Sequence, residues 1–465
     1  MPERVALDFN NMLAPRLGGG RGIEPARLDA MAERFRGAHA EVRRRREAGE
    51  LGLFDPPYDT AILDEVRKFG DGLGQAFETI VVLGIGGSAL GAVALRDALV
   101  APFWNELDDE ARSFYPKLYV LDNVDPTTIG PFLDRLDLGK TLFDVVSKSG
   151  STPETMAQLL IVRDRLAREF DEDGVRRHLL FTTDPDKGAL RRLAREERIA
   201  TLPVPPNVGG RFSVFTPVGL LPAALVGGDV AALLEGAREM DRRCATDALA
   251  ENPAALFAVL QYLADTERHA PIHVMAAYSD RLYATADWFR QLWAESLGKR
   301  KSRSGEDVFA GPTPLHARGA TDQHSQLQLW IEGPFDKTVT FLTVGDFAED
   351  VEIPRAYEAV ESLAYLGGHT LGELLHAEQA ATALALADRG RMNMTIELPR
   401  LDAHTLGQLL MMLQIATVYA GELYGVDPLD QPGVELGKQL AYGIMGRPGF
   451  APPDAAPPDP RFASR

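Results

Sequence analysis

Short apolar runs rich in β-branched residues alternate along this chain with longer stretches of helical character. ETIVVLG (78–84), KLYVLD (117–122), LFDVVS (142–147) and HLLFTTD (178–184) each read as a buried strand leading into a loop and a helix-like stretch. Unbroken apolar runs separated by helices predict a parallel sheet covered on both faces. After helices from about Thr216 to Thr266 the pattern restarts. PIHVMAAYS (271–279) reads as a strand, 282–297 as a helix, TVTFLTV (338–344) as a strand, and 356–388 and 401–424 as helices. Two α/β units in tandem is the economical interpretation, with a helical segment over 1–70, the units over 71–245 and 246–425, and a C-terminal arm over 426–465. The arginine run 43–46 reads as a solvated helix face. The Pro-rich tail APPDAAPPDPRFASR is expected to be extended or disordered.

Composition narrows the function. The 465 residues are 45% hydrophobic and 25% charged, an ordinary globular balance that excludes a disordered or fibrous protein. The net charge of −18 repels nucleic acid and acidic membranes, so neither is an expected partner, and any phosphate site has to be made positive locally. Cys244 is the one cysteine, which excludes an intramolecular disulfide and a thiolate zinc cluster. The opening MPERVALDFN lacks the basic and apolar regions of a secretory signal. The apolar tract 219–234, which reads as the longest, is broken by Pro222 and Asp229 and is too short to span a bilayer. A soluble, cytoplasmic protein is expected.

Six segments carry candidate chemistry. In VVLGIGGSALG (81–91), Gly84, Gly86 and Ala89 fit the G-x-G-x-x-G/A pattern, with Gly87 and Ser88 in the same turn. A dinucleotide site also needs an acidic residue ~20 positions on, and the next strand ends well beyond that, at Asp122. The turn offers an anion its backbone N–H groups, or is simply a tight strand-to-helix connection. VVSKSGSTPET (145–155) gathers Ser147, Lys148, Ser149, Ser151 and Thr152 ahead of Pro153, which opens a helix. A capping box of Ser151 with Glu154 accounts for one hydroxyl only; a phosphate monoester accounts for all of them. The GxxxxGK[ST] spacing of a triphosphate loop is absent.

In NVGGRFS (207–213), two glycines allow close backbone approach and Arg211 presents a fixed cation. In WFRQLWAESLGKRK (288–301), Gln291 and Glu295 lie one helical turn apart on one face, so Glu295 is a candidate general base; the plain alternative is an exposed glutamate paired with Lys299. His324 stands in GATDQHSQLQLW (319–330), and DPLDQPGVELGKQLA (427–441) holds Gln431 in a turn before a helix carrying Lys438. No helical HxxxH or HxH spacing occurs, so no metal is expected.

Taken together and in this order, GIGGSALG, SKSGSTPET, GGRFS, ESLGK, the DQH segment and DQPGVELGKQ resemble the glucose-6-phosphate isomerase family over roughly 80–445. The resemblance implies two flavodoxin-like sugar-isomerase (SIS) domains, each a parallel sheet flanked by helices, and aldose–ketose isomerisation of a sugar phosphate without cofactor. It places Gly86, Gly87, Ser88, Ser147, Lys148, Ser149 and Thr152 on the substrate, and Arg211 and Gln291 near the sugar hydroxyls and the enediolate. Glu295 becomes the proton-transfer base, His324 the ring-opening histidine, and Gln431 and Lys438 a C-terminal pair. It further implies a homodimer in which His324 serves the neighbouring subunit's site. Pro206 and Leu429 depart from the family pattern at packing positions. A phosphosugar-sensing module would keep the hydroxyl loop but not need Glu295, His324 and Lys438 together; a nicotinamide-dependent oxidoreductase would need the missing acidic residue.

Overall fold

The computed structural model describes residues 4–18, 20–454 and 459–462. In chain order, β1 (Ala6–Asp8) precedes five strands of a parallel sheet: β2 (Thr79–Leu83), β3 (Lys117–Leu121), β4 (Thr141–Val146), β5 (Leu179–Thr183) and β6 (Ala200–Pro203). They lie in the order β3-β2-β4-β5-β6, the doubly wound arrangement of flavodoxin-like folds. All residues of β4 and β5 are buried, as strands covered by helices on both faces must be. β7 (Ile272–Ala277) is followed by a small hairpin of β8 (Lys299–Lys301) and β9 (Asp307–Ala310), and then by β10 (Thr313–Arg318), β11 (Lys337–Asp346) and β12 (Asn393–Arg400). The second sheet runs β10-β7-β11-β12-β1, the same order with its last position filled by the N-terminal strand. The expected α/β class and tandem parallel sheets are therefore present.

Four local expectations need correction. The N-terminal segment is not purely helical: β1 pairs antiparallel with β12, Leu7 opposite Ile396. A strand of three residues has no readable periodicity, and its partner lies at the far end of the chain. Second, 356–388 is not one helix. A single turn at Glu361–Ala364 is separated from the helix Leu371–Asp388 by Gly367 and Gly368, the latter at φ +90°, where a side chain would be strained. Third, the arginine run is only partly solvated. Arg45 is buried and pairs with Glu50, Glu422 and Asp427 at 3.1, 3.3 and 3.1 Å, tying the helix Pro25–Glu47 to the C-terminal arm.

Fourth, the dominant apolar segment is the helix Ala403–Tyr424, not 219–234. It is long and apolar enough to cross a bilayer, yet its apolar stretch is 94% buried inside the protein. It packs against the helices Pro25–Glu47, Val230–Arg243, Pro253–Arg268 and Tyr283–Leu297 and so forms the axis of the largest core cluster. Close contact with Val230–Arg243 depends on glycine: a Cβ on Gly407 would lie 2.0 Å from the Leu233 carbonyl oxygen. This shared core fixes the helix Tyr283–Leu297 of the second unit against the helix Leu90–Leu99 of the first.

Candidate active site

The site grows from the C-terminal ends of β2 and β4, neighbours between which the strand order reverses; open α/β sheets bind ligands in that crevice. β4 delivers Ser147, whose Oγ lies 2.9 Å from Thr152 Oγ1 and accepts the Gly150 N–H at 3.1 Å. Thr183 Oγ1 donates to the Ser147 carbonyl at 2.7 Å, so the neighbouring strand fixes the loop. Thr152 occupies the N-cap of the helix Pro153–Glu169 but its side chain makes no capping bond. The Ser151–Glu154 capping box is likewise not formed. The first-turn N–H groups have no side-chain acceptor, and the helix's positive end faces an open loop of hydroxyls. Ser149 and Ser151 are exposed there. Lys148 donates to the carbonyls of Pro206 and Val208 at 2.6 and 2.8 Å, and burial lowers its pKa against the pull of Asp184. It braces the hydroxyl loop against the segment leading into Arg211.

After β2 the chain makes the short turn Gly86–Ser88 before the helix Leu90–Leu99. Its glycines answer to the protein itself. A Cβ on Gly87 would sit 2.3 Å from the Gly210 carbonyl oxygen and 2.7 Å from the Arg211 nitrogen; one on Gly86 would meet Gln291 Nε2 at 3.0 Å. The close approach that a dinucleotide fold reserves for pyrophosphate is thus taken by the GGRFS turn. Ser213 locks the contact, its Oγ 3.1 Å from the Gly87 oxygen and 2.7 Å from that of Gly210.

Arg211 is 3% exposed and spends its guanidinium on two segments, the helix Tyr283–Leu297 and the turn 428–431. Nε donates to Ser296 Oγ at 2.7 Å, Nη1 to Gln431 Oε1 at 3.0 Å, and Nη2 to the carbonyls of Pro428 and Asp430 at 2.5 and 2.9 Å. Nη1 also lies 3.2 Å from Glu295 Oε1. The other carboxylate oxygen accepts from Gln291 Nε2 at 3.0 Å. Burial presses the Arg211 pKa down, opposed by Glu295, Asp430 and Asp427. Glu295 keeps 27% of its side chain exposed. A carboxylate held by a buried cation and an amide, with one edge open, is an oriented proton acceptor. Gln291 Oε1 is buried without a hydrogen-bond partner, a free acceptor beside that carboxylate.

The structure thus brings together Gly86, Gly87, Arg211, Gln291, Glu295 and Gln431, and Lys148 braces them against the loop of Ser147, Ser149 and Thr152. Ser88 lies in the turn itself. His324 and Lys438 are not gathered in. His324 is exposed at the end of the turn Thr321–His324, and Lys438 pairs with Glu435 at 2.8 Å on the exposed helix Glu435–Ile444. Among the described residues neither bonds to Arg211, Gln291 or Glu295. Two structural members were missed by sequence reasoning. Ser296 orients Arg211, and Lys299 donates to the carbonyls of Glu295 and Ser296 at 2.8 and 2.9 Å and lies 3.6 Å from Asp430. Charge spacing offers Lys299 as a surface partner for the Glu295 carboxylate; it is 6% exposed and holds the backbone instead.

Parallel sheets of this order, opened at the switch point of the first and closed over by a helix of the second, define a tandem flavodoxin-like α/β protein. The family model described as phosphoglucose isomerase matches residues 63–449, and the chain belongs to that family. A protein of Rubrobacter xylanophilus named glucose-6-phosphate isomerase is 50% identical over 457 residues, 96% of this chain and 99% of that one. A protein of the same name from Carboxydothermus hydrogenoformans is 46% identical over 447 residues, 96% of each chain. The crystal structure of a hypothetical protein from Thermus thermophilus superposes with a TM-score of 0.85 at 40% identity, covering 95% of this chain and 100% of that one.

Proposed function

We propose that this protein interconverts glucose 6-phosphate and fructose 6-phosphate, an early step of glycolysis and gluconeogenesis, through ring opening and a cis-enediol. The observation that carries the reading is the Glu295 carboxylate, oriented by Arg211 at 3.2 Å and Gln291 at 3.0 Å. A sensing module has no use for such a base. In the open-chain aldose, Glu295 takes the proton from C2. The C–H electron pair becomes the C1–C2 double bond, and the carbonyl pair moves onto O1. Arg211 stabilises the resulting enediolate with a charge already in place, so little reorganisation is needed as charge develops. The hydroxyl proton passes from O2 to O1, and Glu295 returns its proton to C1 while O2 becomes the ketone. The free acceptor of Gln291 suits a sugar hydroxyl. Ser147, Ser149, Thr152 and the open helix end suit the phosphate, whose binding energy positions the reacting carbons.

Ring opening is assigned to His324 with Lys438, and the assembly to a homodimer in which each His324 serves the partner subunit's site. What supports this is the isolation of both residues within one chain. The C-terminal helix also leaves Leu436 65% and Ile444 68% exposed, a face that a second copy would cover. The units 71–245 and 246–425 are taken as the two domains, and the cytoplasm as the compartment.

A coupled assay with fructose 6-phosphate, glucose-6-phosphate dehydrogenase and NADP⁺ tests the activity. Glu295→Gln should lower kcat by ~10²–10⁴ while fructose 6-phosphate still binds; more than about a tenth of the wild-type rate would assign the base elsewhere. Mixing refolded Glu295→Gln and His324→Ala chains should restore activity, because a mixed dimer holds one intact site only if the histidine crosses between subunits.

A further inference from the structure

At the N-terminal ends of β7, β11 and β12, where the second sheet has no strand-to-helix loops, lies a cavity of about 250 Å³ lined by Arg21, Arg268, Lys337 and Arg391. Only one carboxylate, Glu267, lines it, and Arg27 claims that at 2.7 Å. Among the described residues no carboxylate comes within ion-pair distance of Arg21, Arg268 or Arg391. Lys337 is paired with Asp336, and the charges of Asp336 and Glu332 act on Arg391, so in a chain of net charge −18 the positive site is made by Arg21, Arg268 and Arg391.

Its construction is rigid. Arg391 is 6% exposed, and its guanidinium donates to the carbonyls of Pro334, Ile331 and Gly333 at 2.9, 2.5 and 2.6 Å. Its Nε is buried with no partner. The Arg391 and Arg21 guanidinium carbons sit 3.5 and 3.6 Å from the centroid of the Phe335 ring. Two groups that close to one centroid must occupy opposite faces, so the ring holds two like charges in a fixed clamp. Gly390 adjoins the clamp at φ +69°, where a Cβ would come within 3.0 Å of Arg21 Cγ. Burial and the charge of Arg21 both lower the Arg391 pKa, opposed by Asp336 and Glu332, and the Phe335 ring is what separates the two guanidiniums. None of these residues bonds to Arg211, Gln291 or Glu295.

We propose that this cavity is a second anion site, separate from the isomerase pocket, for a compact phosphate- or diphosphate-bearing anion. The volume sets the size class: at ~30 Å³ per water it holds about eight waters, below the ~300–1,000 Å³ of sites for larger organic ligands. A phosphate or diphosphate group fits within it. Guanidiniums supply forked donors that match phosphate oxygens. The assignment does not rest on the isomerase reading.

The test is isothermal titration of the full chain with sodium diphosphate, run on three proteins. In wild type and in Ser149→Ala/Thr152→Ala, one equivalent per chain should bind at this site, more weakly as sodium chloride is raised. In Arg21→Ser/Arg268→Ser that class should weaken at least tenfold while kcat/KM for fructose 6-phosphate, measured without diphosphate, stays within twofold. Both arginines lie outside the buried core, and Arg268→Ser alone serves if the double variant melts early. The proposal is overturned if diphosphate binding vanishes in Ser149→Ala/Thr152→Ala, or survives unchanged in Arg21→Ser/Arg268→Ser. It is also overturned if the arginine variant changes the mass of the particle in light scattering, which would make this face a contact between chains.

Discussion

In the first sheet the loop leaving β4 presents Ser147, Lys148, Ser149 and Thr152; in the second, the loop leaving β11 runs from Asp346 through Glu349 to Asp350. The strand order is the same, and the chemistry is opposite. The helix that follows the first loop, Pro153–Glu169, has no side-chain cap. The helix that follows the second, Leu371–Asp388, is closed by a full capping box of Thr370 and Glu373, and Asp350 accepts the Gly372 N–H at 2.9 Å. One helix end is left without a side-chain cap, and the other is filled by the protein's own carboxylates. Topology alone therefore does not make a site: it makes a place where one can be built, and the loop residues decide whether stability or binding is served there.

The interiors differ in the same way. β4 buries Asp144 completely, with one oxygen accepting from Thr182 at 2.8 Å and the other unpartnered, and burial pushes its pKa up to about 7. β11 buries neutral hydroxyls instead: Thr338 donates to Gln261 at 2.8 Å, and Gln261 donates to Thr340 at 3.4 Å.

Of the changes that bear on this comparison, the largest effect should come from Arg211→Ala. It removes the cation from beside Glu295 and frees the 427–431 turn, so kcat should fall by ~10²–10³; a loss below tenfold would mean that the enediolate is stabilised elsewhere. Next is Asp144. Between roughly pH 4 and 7 the folded state keeps a proton that the unfolded chain has released, so stability falls as pH rises through that window. The first sheet should lose roughly 3 kcal/mol between pH 5 and pH 8 from this group. Asp144→Asn should flatten that slope in denaturant melts, and an unchanged slope would show the carboxyl is not held protonated. Third, Ser149→Ala/Thr152→Ala should raise KM for fructose 6-phosphate about tenfold with little change in melting temperature. The smallest effect is the mirror image: Thr370→Ala should cost about 1 kcal/mol of stability and leave KM within twofold. If both variants moved the same quantity, the contrast between the open and the closed helix end would fail.

The strands β2, β4, β5, β7 and β11 were legible because each is a continuous apolar run bounded by turn residues, a signal set by local burial on both faces. The hydroxyl loop, the glycine turn and the family motifs were legible for the same reason: their chemistry is contiguous along the chain. The partners of Arg211 were not. Its hydrogen bonds reach Ser296 and residues 428–431, segments that meet only once the helix Ala403–Tyr424 has drawn both units around one core. Lys299 and Arg45 read as solvated cations because charge spacing carries no information about what packs over it. β1 has too few residues to show a period until β12 supplies its hydrogen bonds. Contiguous patterns are written by the sequence. Charge pairs across hundreds of residues are settled by packing, since only the folded core decides which ionised groups leave water and which partners they then find.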